Sequence, residues 1–323
     1  MTKKWLKGAR KVIEVCACVK RGERTLIVTD LDTNPKVSMS LLEACRDAKS
    51  EALIAIICRR RSANEEPPPR VVDLMLRSDV IICPTYLTMF YTDAKRRVCM
   101  RGARFLSMAG ATLDVLSHGA IEADFRKQKP LVHKIAKKLT EAKEISLRSA
   151  AGASVTASLG GRKAVAITGI CEKPGESTGV PDIEAYVAPL EDSVEGVAIV
   201  DGSISGLGLV RTPVKLEIRN GIARKITGGV EARKLRNILS SQNDPKVYQI
   251  AEIGIGLNPK AKLRGSIVED ESVLGTTHLA LGDNSKFSGT NFAPVHIDLV
   301  LRKSSIDVDG ERLPPKDGRR AAF

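Results

Sequence analysis

The first half of the chain alternates short apolar runs with longer amphipathic runs, and this pattern constrains the fold more than any other feature. Short apolar runs between polar residues are typical of buried strands, and amphipathic runs are typical of helices that cover a sheet. Strands that are joined through helices form a parallel sheet. The predicted strands cover residues 25–29, 52–58, 80–84 and 104–108, and the predicted helices cover residues 37–49, 69–77 and 92–102. We therefore expect an α/β N-terminal domain with a parallel sheet.

The second half has a different pattern. A basic helix is predicted at residues 121–142, and after it come three dipeptides that favour tight hairpin turns between alternating apolar residues. These dipeptides are Gly160-Gly161, Asn220-Gly221 and Asp309-Gly310. One further helix is predicted at residues 231–241. We expect a β-rich α+β C-terminal domain that binds metal. The predicted N-terminal domain covers residues 1–145, and the predicted C-terminal domain covers residues 146–323.

The net charge of +13 lies almost entirely in residues 1–150. The basic residues occur there in short groups, and only 3% of the chain is aromatic and able to stack on bases. A solvated basic face is therefore favoured over a nucleic-acid site. The chain has no apolar run of roughly 18 to 20 residues that would cross a membrane, and no apolar signal segment follows Met1. We expect a cytoplasmic protein with no nucleic-acid and no membrane partner.

Six of the seven cysteines lie in the first hundred residues. Their spacings match neither paired CxxC zinc motifs nor the disulfide framework of a small secreted domain. We expect these cysteines to be reduced and buried. No GxGxxG motif follows the first predicted strand, so a dinucleotide cofactor is not expected.

The chain contains only four histidines, so a site that uses histidine can lie at few positions. His296 and Asp298 lie two residues apart in an apolar run, so a strand would place both side chains on one face. Neutral imidazole beside a carboxylate is a normal ligand set for zinc, iron, manganese or cobalt. A simple hydrogen bond between the two side chains explains this pair equally well.

Other polar residues interrupt apolar runs in the same half of the chain. Glu252 is the lone carboxylate in residues 247–257, and His278 begins the apolar run 278–282. Each alone is more often a satisfied core residue than a ligand, but three such places within about fifty residues favour a metal site. Glu184 is a weaker candidate in a segment bounded by prolines. The candidate ligands are therefore Glu252, His278, His296 and Asp298, and Glu184 is a fifth candidate that the residues alone explain better as a surface acid.

Residues 148–302 resemble the aminopeptidase T family of metallopeptidases and their relatives, the 2,5-dihydroxypyridine 5,6-dioxygenases. The resemblance lies in the runs 228–232 (GGVEA), 243–248 (NDPKVY), 253–259 (IGIGLNP), 278–282 (HLALG) and 296–298 (HID). The peptidase branch implies that the five predicted ligands hold two divalent metals, such as Zn, Mn or Co. Where these peptidases have a catalytic tyrosine, this chain has Ser285.

The dioxygenase branch implies a single Fe(II) that is held by two histidines and one carboxylate. The first of these histidines falls where this chain has Glu252. His278, His296 and Asp298 could by themselves form such a set of two histidines and one carboxylate.

From these observations we expect a metal-dependent hydrolase that acts on a peptide or on a small amide or ring compound. A metal-activated water would attack, and Glu184 or Glu271 would move its proton. The alternative is a mononuclear Fe(II) ring-cleaving dioxygenase, and a third possibility is a binding protein without activity. The predicted substrate contacts follow the third predicted strand and are Tyr86, Thr88, Tyr91 and Thr92. The resemblance also implies a homodimer.

Overall fold

A computed structural model describes residues 3–314. These residues form two compact units, and each unit consists of two separate stretches of chain. The first unit contains residues 3–129 and 167–183, and the second contains residues 130–166 and 184–314. The sequence-based domains, residues 1–145 and 146–323, stay a prediction, and residues 315–323 of the second lie outside the described part.

The secondary-structure elements are named here in chain order. The α-helices within residues 3–314 are α1 (Lys4–Lys11), α2 (Pro35–Asp47), α3 (Pro69–Leu76), α4 (Asp93–Met100), α5 (Phe125–Glu141), α6 (Val230–Ser240) and α7 (Ile267–Asp270). The strands up to residue 200 are β1 (Arg24–Asp30), β2 (Glu51–Ile57), β3 (Val80–Cys83), β4 (Arg104–Ser107), β5 (Glu144–Ser149), β6 (Ser154–Ser158), β7 (Val165–Ile167), β8 (Ser177–Gly179), β9 (Glu184–Val187) and β10 (Glu195–Val200). The later strands are β11 (Ser203–Ile204), β12 (Gly208–Leu209), β13 (Val214–Arg219), β14 (Ile222–Thr227), β15 (Ile250–Gly256), β16 (Thr277–Gly282), β17 (His296–Leu301), β18 (Ser304–Val308) and β19 (Glu311–Leu313).

The first unit contains a parallel five-stranded sheet in the order β2-β1-β3-β4-β8. The strands and helices predicted for the first half of the chain are all present, with ends that differ by one or two residues. Their apolar residues form the core of this unit, in which β3 and β4 are buried along their whole length. Helix α1 was not predicted, because it offers few apolar residues to reveal a helical period.

The second unit contains two antiparallel sheets of seven strands each. Their orders are β14-β13-β10-β6-β5-β18-β19 and β12-β11-β17-β16-β15-β9-β7. The predicted turns at Asn220-Gly221 and Asp309-Gly310 join hairpins, and all four residues have the positive φ that such turns require. The hairpin predicted at Gly160-Gly161 is wrong, because the strands on its two sides, β6 and β7, belong to different sheets. The predicted fold class, an α/β region with a parallel sheet plus a β-rich region, is confirmed.

The second sheet of this unit is apolar and deeply buried at its centre. Strands β9, β15 and β16 are buried along their whole length, so an ionisable side chain in any of them is removed from water. A buried charge needs a partner or a metal. Among residues 3–314, no helix has the length and apolar character that crossing a membrane requires.

Candidate metal centre

Neighbouring strands of this buried sheet bring the five predicted ligands to one of its faces. The pairings across the strands are Glu184 with Gly256, Glu252 with Ala280, His278 with Gly254, Asp298 with Ala280, and His296 with Gly282. Paired residues of an antiparallel sheet point to the same face, and so do alternate residues along a strand. All five side chains therefore share one side of the sheet. Their paired residues are glycine or alanine, which leaves space between the polar groups.

Glu252 reaches this face through an irregularity in its strand. The register between β15 and β16 shifts between Ile250 and Glu252, so β15 carries one residue more than its partner at this point. Such a bulge re-aims the side chains next to it and is common beside functional sites. Glu252 is buried, in agreement with its place as the lone carboxylate of an apolar run.

Glu252, His296 and Asp298 form the cluster that faces solvent. Their ligand atoms all lie within 4.8 Å of one another. Nε2 of His296 is 3.2 Å from Oδ1 of Asp298 and 3.5 Å from Oε2 of Glu252. The side chain of His296 is 24% exposed and that of Asp298 is 15% exposed, whereas that of Glu252 is only 5% exposed. Small molecules can therefore reach the cluster from the side of β17.

His296 is held with Nε2 directed into the cluster. Its Nδ1 lies 2.7 Å from the backbone carbonyl of Asp283, and because a carbonyl only accepts, Nδ1 carries the hydrogen. The ring also packs against the ring of Phe287 in an edge-to-face contact, with centroids 5.7 Å apart. A backbone acceptor on one imidazole nitrogen is the usual way in which proteins aim the other nitrogen at a metal.

The electrostatics of the cluster favour a cation. Burial would lower the pKa of His296, but the negative charges of Asp298 and Glu252 outweigh it and raise that pKa to about 10. The pKa of Asp298 is held below its usual range, because the charge of His296 outweighs the effect of burial. The cluster thus holds a proton on the imidazole in the absence of metal, and a divalent cation would replace that proton.

Behind this cluster lies a second group of buried polar side chains. His278 is fully buried, and its Nε2 is 3.0 Å from Oε1 of Glu252 and 3.5 Å from Oε2 of Glu184. Glu271 follows α7, and one of its carboxylate oxygens lies within 4.8 Å of one of Glu184. The structure thus places Glu184 and Glu271, the residues predicted to move a proton, near each other.

The donor set of the front cluster fits a divalent transition metal. Two carboxylates and one imidazole are ligands that Fe(II), Mn(II), Co(II) and Zn(II) share. The ion-pair partners of Glu252 and Asp298 are imidazoles, which are themselves metal ligands. Glu252, His296 and Asp298 would hold such a cation, which would supply open coordination positions for small molecules.

The predicted substrate contacts lie in the first unit, and they have local structural contacts. Thr92 accepts a hydrogen bond at the start of α4, and the backbone N–H of Tyr86 donates to the carboxylate of Asp30. The hydroxyl of Thr88 accepts from a backbone N–H in the same loop, and the backbone N–H of Tyr91 donates to a nearby asparagine. Contact of these residues with a substrate stays a prediction.

Sequence reasoning missed the groups that support His296. The carbonyl of Asp283 lies in the loop before β17, and no pattern in the sequence marks a backbone acceptor. Phe287 is buried in the same loop, where its ring contacts both His296 and Tyr186. This loop contains two phenylalanines, Phe287 and Phe292, and the sequence does not show that Phe287 is the buried one.

A family model for NicX, 2,5-dihydroxypyridine 5,6-dioxygenase, matches residues 4–319. A 2,5-dihydroxypyridine 5,6-dioxygenase of Pseudomonas putida KT2440 is 32% identical over 200 residues, which are 56% of this chain and 57% of that relative. The matched region thus spans little more than half the length of the relative.

Two solved structures share the fold. The 2,5-dihydroxypyridine dioxygenase of Pseudomonas putida KT2440 superimposes with a TM-score of 0.83 at 22% identity, over 98% of both chains. AmpT of Thermus thermophilus superimposes with a TM-score of 0.68 at 14% identity, over 96% of both chains. At these identities the likeness concerns the fold alone.

These comparisons correct the expected activity. The prediction of a metal-dependent hydrolase is wrong, because the matching family and the curated relative are dioxygenases. The error has a physical origin: the peptidase-like structure has the same fold, so the fold and its ligand-bearing strands do not separate the two chemistries. Ser285, in place of the tyrosine of the peptidases, was a departure from the peptidase pattern, but it left other hydrolytic reactions open. The match over nearly the whole chain shows that this protein belongs to the NicX family of 2,5-dihydroxypyridine 5,6-dioxygenases.

Proposed function

We propose that this chain is a ring-cleaving dioxygenase that acts on 2,5-dihydroxypyridine or a closely related hydroxylated pyridine. One Fe(II) would be held by Glu252, His296 and Asp298. The observation that carries this proposal is the convergence of these three side chains within 4.8 Å, in a chain of this family.

The proposed ligand set differs from the common one in its charge. Non-haem Fe(II) oxygenases usually hold iron with two histidines and one carboxylate and leave the remaining positions open. Here Glu252 supplies a second carboxylate, so the set carries one more negative charge. A more anionic set binds a divalent cation more strongly through charge, and we expect it to lower the reduction potential of the iron.

The residues of the chain position the metal and leave one side accessible. His296 is fixed by the Asp283 carbonyl, so its Nε2 does not have to be ordered when the cation binds. The exposed fractions place His296 and Asp298 towards solvent and Glu252 behind them. A planar hydroxylated ring and dioxygen would therefore approach from the side of His296 and Asp298.

The proposed reaction balances without a further oxidant. Bound Fe(II) would supply open coordination positions at which the ring hydroxyl and dioxygen are brought together. The bond between C5 and C6 of the ring breaks, and each of these carbons receives one oxygen atom. C5 becomes a carboxyl carbon and C6 becomes the carbon of an N-formyl group. The four-electron oxidation of the ring matches the four-electron reduction of dioxygen.

The direct test is an oxygen-electrode assay with 2,5-dihydroxypyridine and protein that was loaded with Fe(II) under anaerobic conditions. We expect one dioxygen consumed per substrate, and two labelled oxygen atoms in the product when the gas is ¹⁸O₂. Folded, iron-loaded protein that consumes no oxygen with this substrate or with its monohydroxylated and carboxylated analogues would contradict the proposal.

The expected partners form part of the same proposal. The substrate is a small molecule, nucleic acid and membranes are not partners, and the chain forms a homodimer. Light scattering after size-exclusion chromatography measures the oligomeric state, and a mass of one chain would contradict the homodimer.

A further inference from the structure

We propose that His278 is a positioning residue that fixes Glu252 for the metal, and that Glu184 in turn holds His278. This inference rests on the proposed metal centre of Glu252, His296 and Asp298. It assigns His278 a role behind the metal rather than on it.

The position of His278 depends on a missing side chain in the neighbouring strand. His278 in β16 lies opposite Gly254 in β15, and its ring extends across that strand. A Cβ atom on Gly254 would lie 2.0 Å from Nε2 of His278, so even alanine would displace the ring. The glycine therefore forms a slot through which the imidazole reaches the carboxylates beyond it.

The two oxygens of Glu252 have different partners. Oε1 is 3.0 Å from Nε2 of His278, and Oε2 is 3.5 Å from Nε2 of His296. A carboxylate that is held at one oxygen can rotate less, so its other oxygen stays directed at the front cluster. Hydrogen bonds of this kind to a ligating carboxylate are a normal part of metal sites.

Geometry sets His278 apart from the front cluster, because the ligand atoms within 4.8 Å of one another come from Glu252, His296 and Asp298, and His278 does not belong to this group. An ionised carboxylate only accepts hydrogen bonds, so the hydrogen in the 3.0 Å contact belongs to Nε2 of His278. His278 therefore serves as the donor to Glu252, while the three front side chains face the metal. The other nitrogen, Nδ1, is buried without a hydrogen-bond partner among the described residues, as suits an unprotonated atom.

Glu184 completes the row of buried groups. Its Oε2 is 3.5 Å from the same Nε2 of His278, and its side chain is 5% exposed. The imidazole therefore lies beside two carboxylates in a fully buried place, where charge interactions are little screened. His278 is thus placed between the two carboxylates, with the shorter contact to Glu252.

The test compares two amide variants that differ in reach. The carboxamide nitrogen of His278→Gln takes the place of Nε2 and can donate to Glu252, whereas that of His278→Asn is too short. Cobalt(II) is the probe, since it is stable in air, and titration calorimetry gives its dissociation constant. We expect His278→Gln to remain within about threefold of the wild type and His278→Asn to weaken binding about 10- to 100-fold.

The visible absorption of bound cobalt gives a second readout that a loss of packing alone would not change. In His278→Gln the ligand set is intact, so the bands should keep their positions. Equal weakening in both variants together with shifted bands in His278→Gln would show that His278 is a ligand and overturn the inference. Unchanged binding in both variants would overturn it as well.

Two further variants and the wild type separate this inference from misfolding and from failure of the proposed metal centre. Gly254→Ala leaves every ligand in place but closes the slot, and it should weaken cobalt binding as His278→Asn does. His118→Asn, at a partly exposed position in the first unit, is the matched control and should change nothing. If the wild-type chain binds neither cobalt nor iron, the proposed metal centre itself has failed, and that outcome is distinct from those above.

Discussion

Two buried carboxylates, one in each unit of the molecule, have different kinds of partner. In the first unit, Asp30 ends β1 and accepts hydrogen bonds from the N–H and hydroxyl of Thr33 and from the N–H of Tyr86. In the second unit, Glu252 lies within β15, and its partners are the imidazoles of His278 and His296. Both carboxylates are almost fully buried, so the difference lies in their partners.

The nature of the partners separates a structural carboxylate from a functional one. Neutral backbone and hydroxyl donors complete the hydrogen bonding of Asp30, and they tie two loops together. Glu252 and the carboxylates around it instead contact imidazoles, which leaves an excess of negative charge. Groups of like charge at close range persist where a cation binds between them or where protons are retained. This contrast makes the surroundings of Glu252 the place for chemistry.

The largest expected effect is the loss of metal from the front cluster. His296→Ala removes the single nitrogen of the proposed ligand set, and we expect at least about 100-fold weaker binding of Fe(II), since loss of a supporting group alone costs 10- to 100-fold. We expect only a small decrease in the free energy of unfolding of the metal-free protein. Anaerobic competition with a chromogenic chelator measures the affinity. If His296→Ala keeps the affinity of the wild type, His296 is not a metal ligand and Glu252 has no different role from Asp30.

The matched change in the first unit is Asp30→Ala. It removes the acceptor of three hydrogen bonds, so we expect a loss of about 2–4 kcal/mol in the free energy of unfolding. The affinity for Fe(II) should stay as in the wild type. Urea denaturation followed by circular dichroism measures the stability. If Asp30→Ala has normal stability but binds the metal more weakly, then Asp30 is not the structural carboxylate described here.

Addition of metal should stabilise the protein only when the ligands around Glu252 are intact. At a free Fe(II) or Co(II) concentration about 100 times the dissociation constant, binding raises the free energy of unfolding by about 2.7 kcal/mol. Differential scanning calorimetry with and without the metal should show this gain in the wild type and in Asp30→Ala. His296→Ala should show little of it, and an equal gain in all three proteins would point to a different metal site.

The smallest effect concerns the cysteines, which all lie in the first unit. Burial raises the pKa of the Cys45 thiol to about 12, so almost none of it is thiolate at pH 8. Cys58 is exposed. We expect iodoacetamide to modify Cys58 quickly and Cys45 only after unfolding, as mass spectrometry of digested protein would reveal. Rapid modification of Cys45 in the native protein would mean that the first unit is less tightly packed than described.

Much of the fold could be predicted because its signals are local. The strands of the first unit are short apolar runs, and every residue needed to recognise them lies within a few positions. The turns at Asn220-Gly221 and Asp309-Gly310 were recognised for the same reason. Gly160-Gly161 has an equally good local signal but joins strands of different sheets, a long-range choice that the dipeptide does not encode.

The metal cluster was predicted in part for similar reasons. His296 and Asp298 share a face because a strand has a period of two, and Glu252 interrupts an apolar run. The bulge in β15 and the slot at Gly254 could not be predicted, because both depend on the pairing of β15 with β16. The choice between hydrolysis and dioxygenation was also beyond the ligand pattern, which suits either reaction.

The central claim is that a single metal binds among Glu252, His296 and Asp298. Anomalous diffraction at the iron absorption edge, from crystals grown with Fe(II) under anaerobic conditions, locates the metal directly. We predict one peak per chain, within bonding distance of these three side chains. His278 should be hydrogen-bonded to Glu252 and should not coordinate the iron. A peak bound by His278, a pair of peaks, or a peak only beside Glu184 and Glu271 would contradict this account.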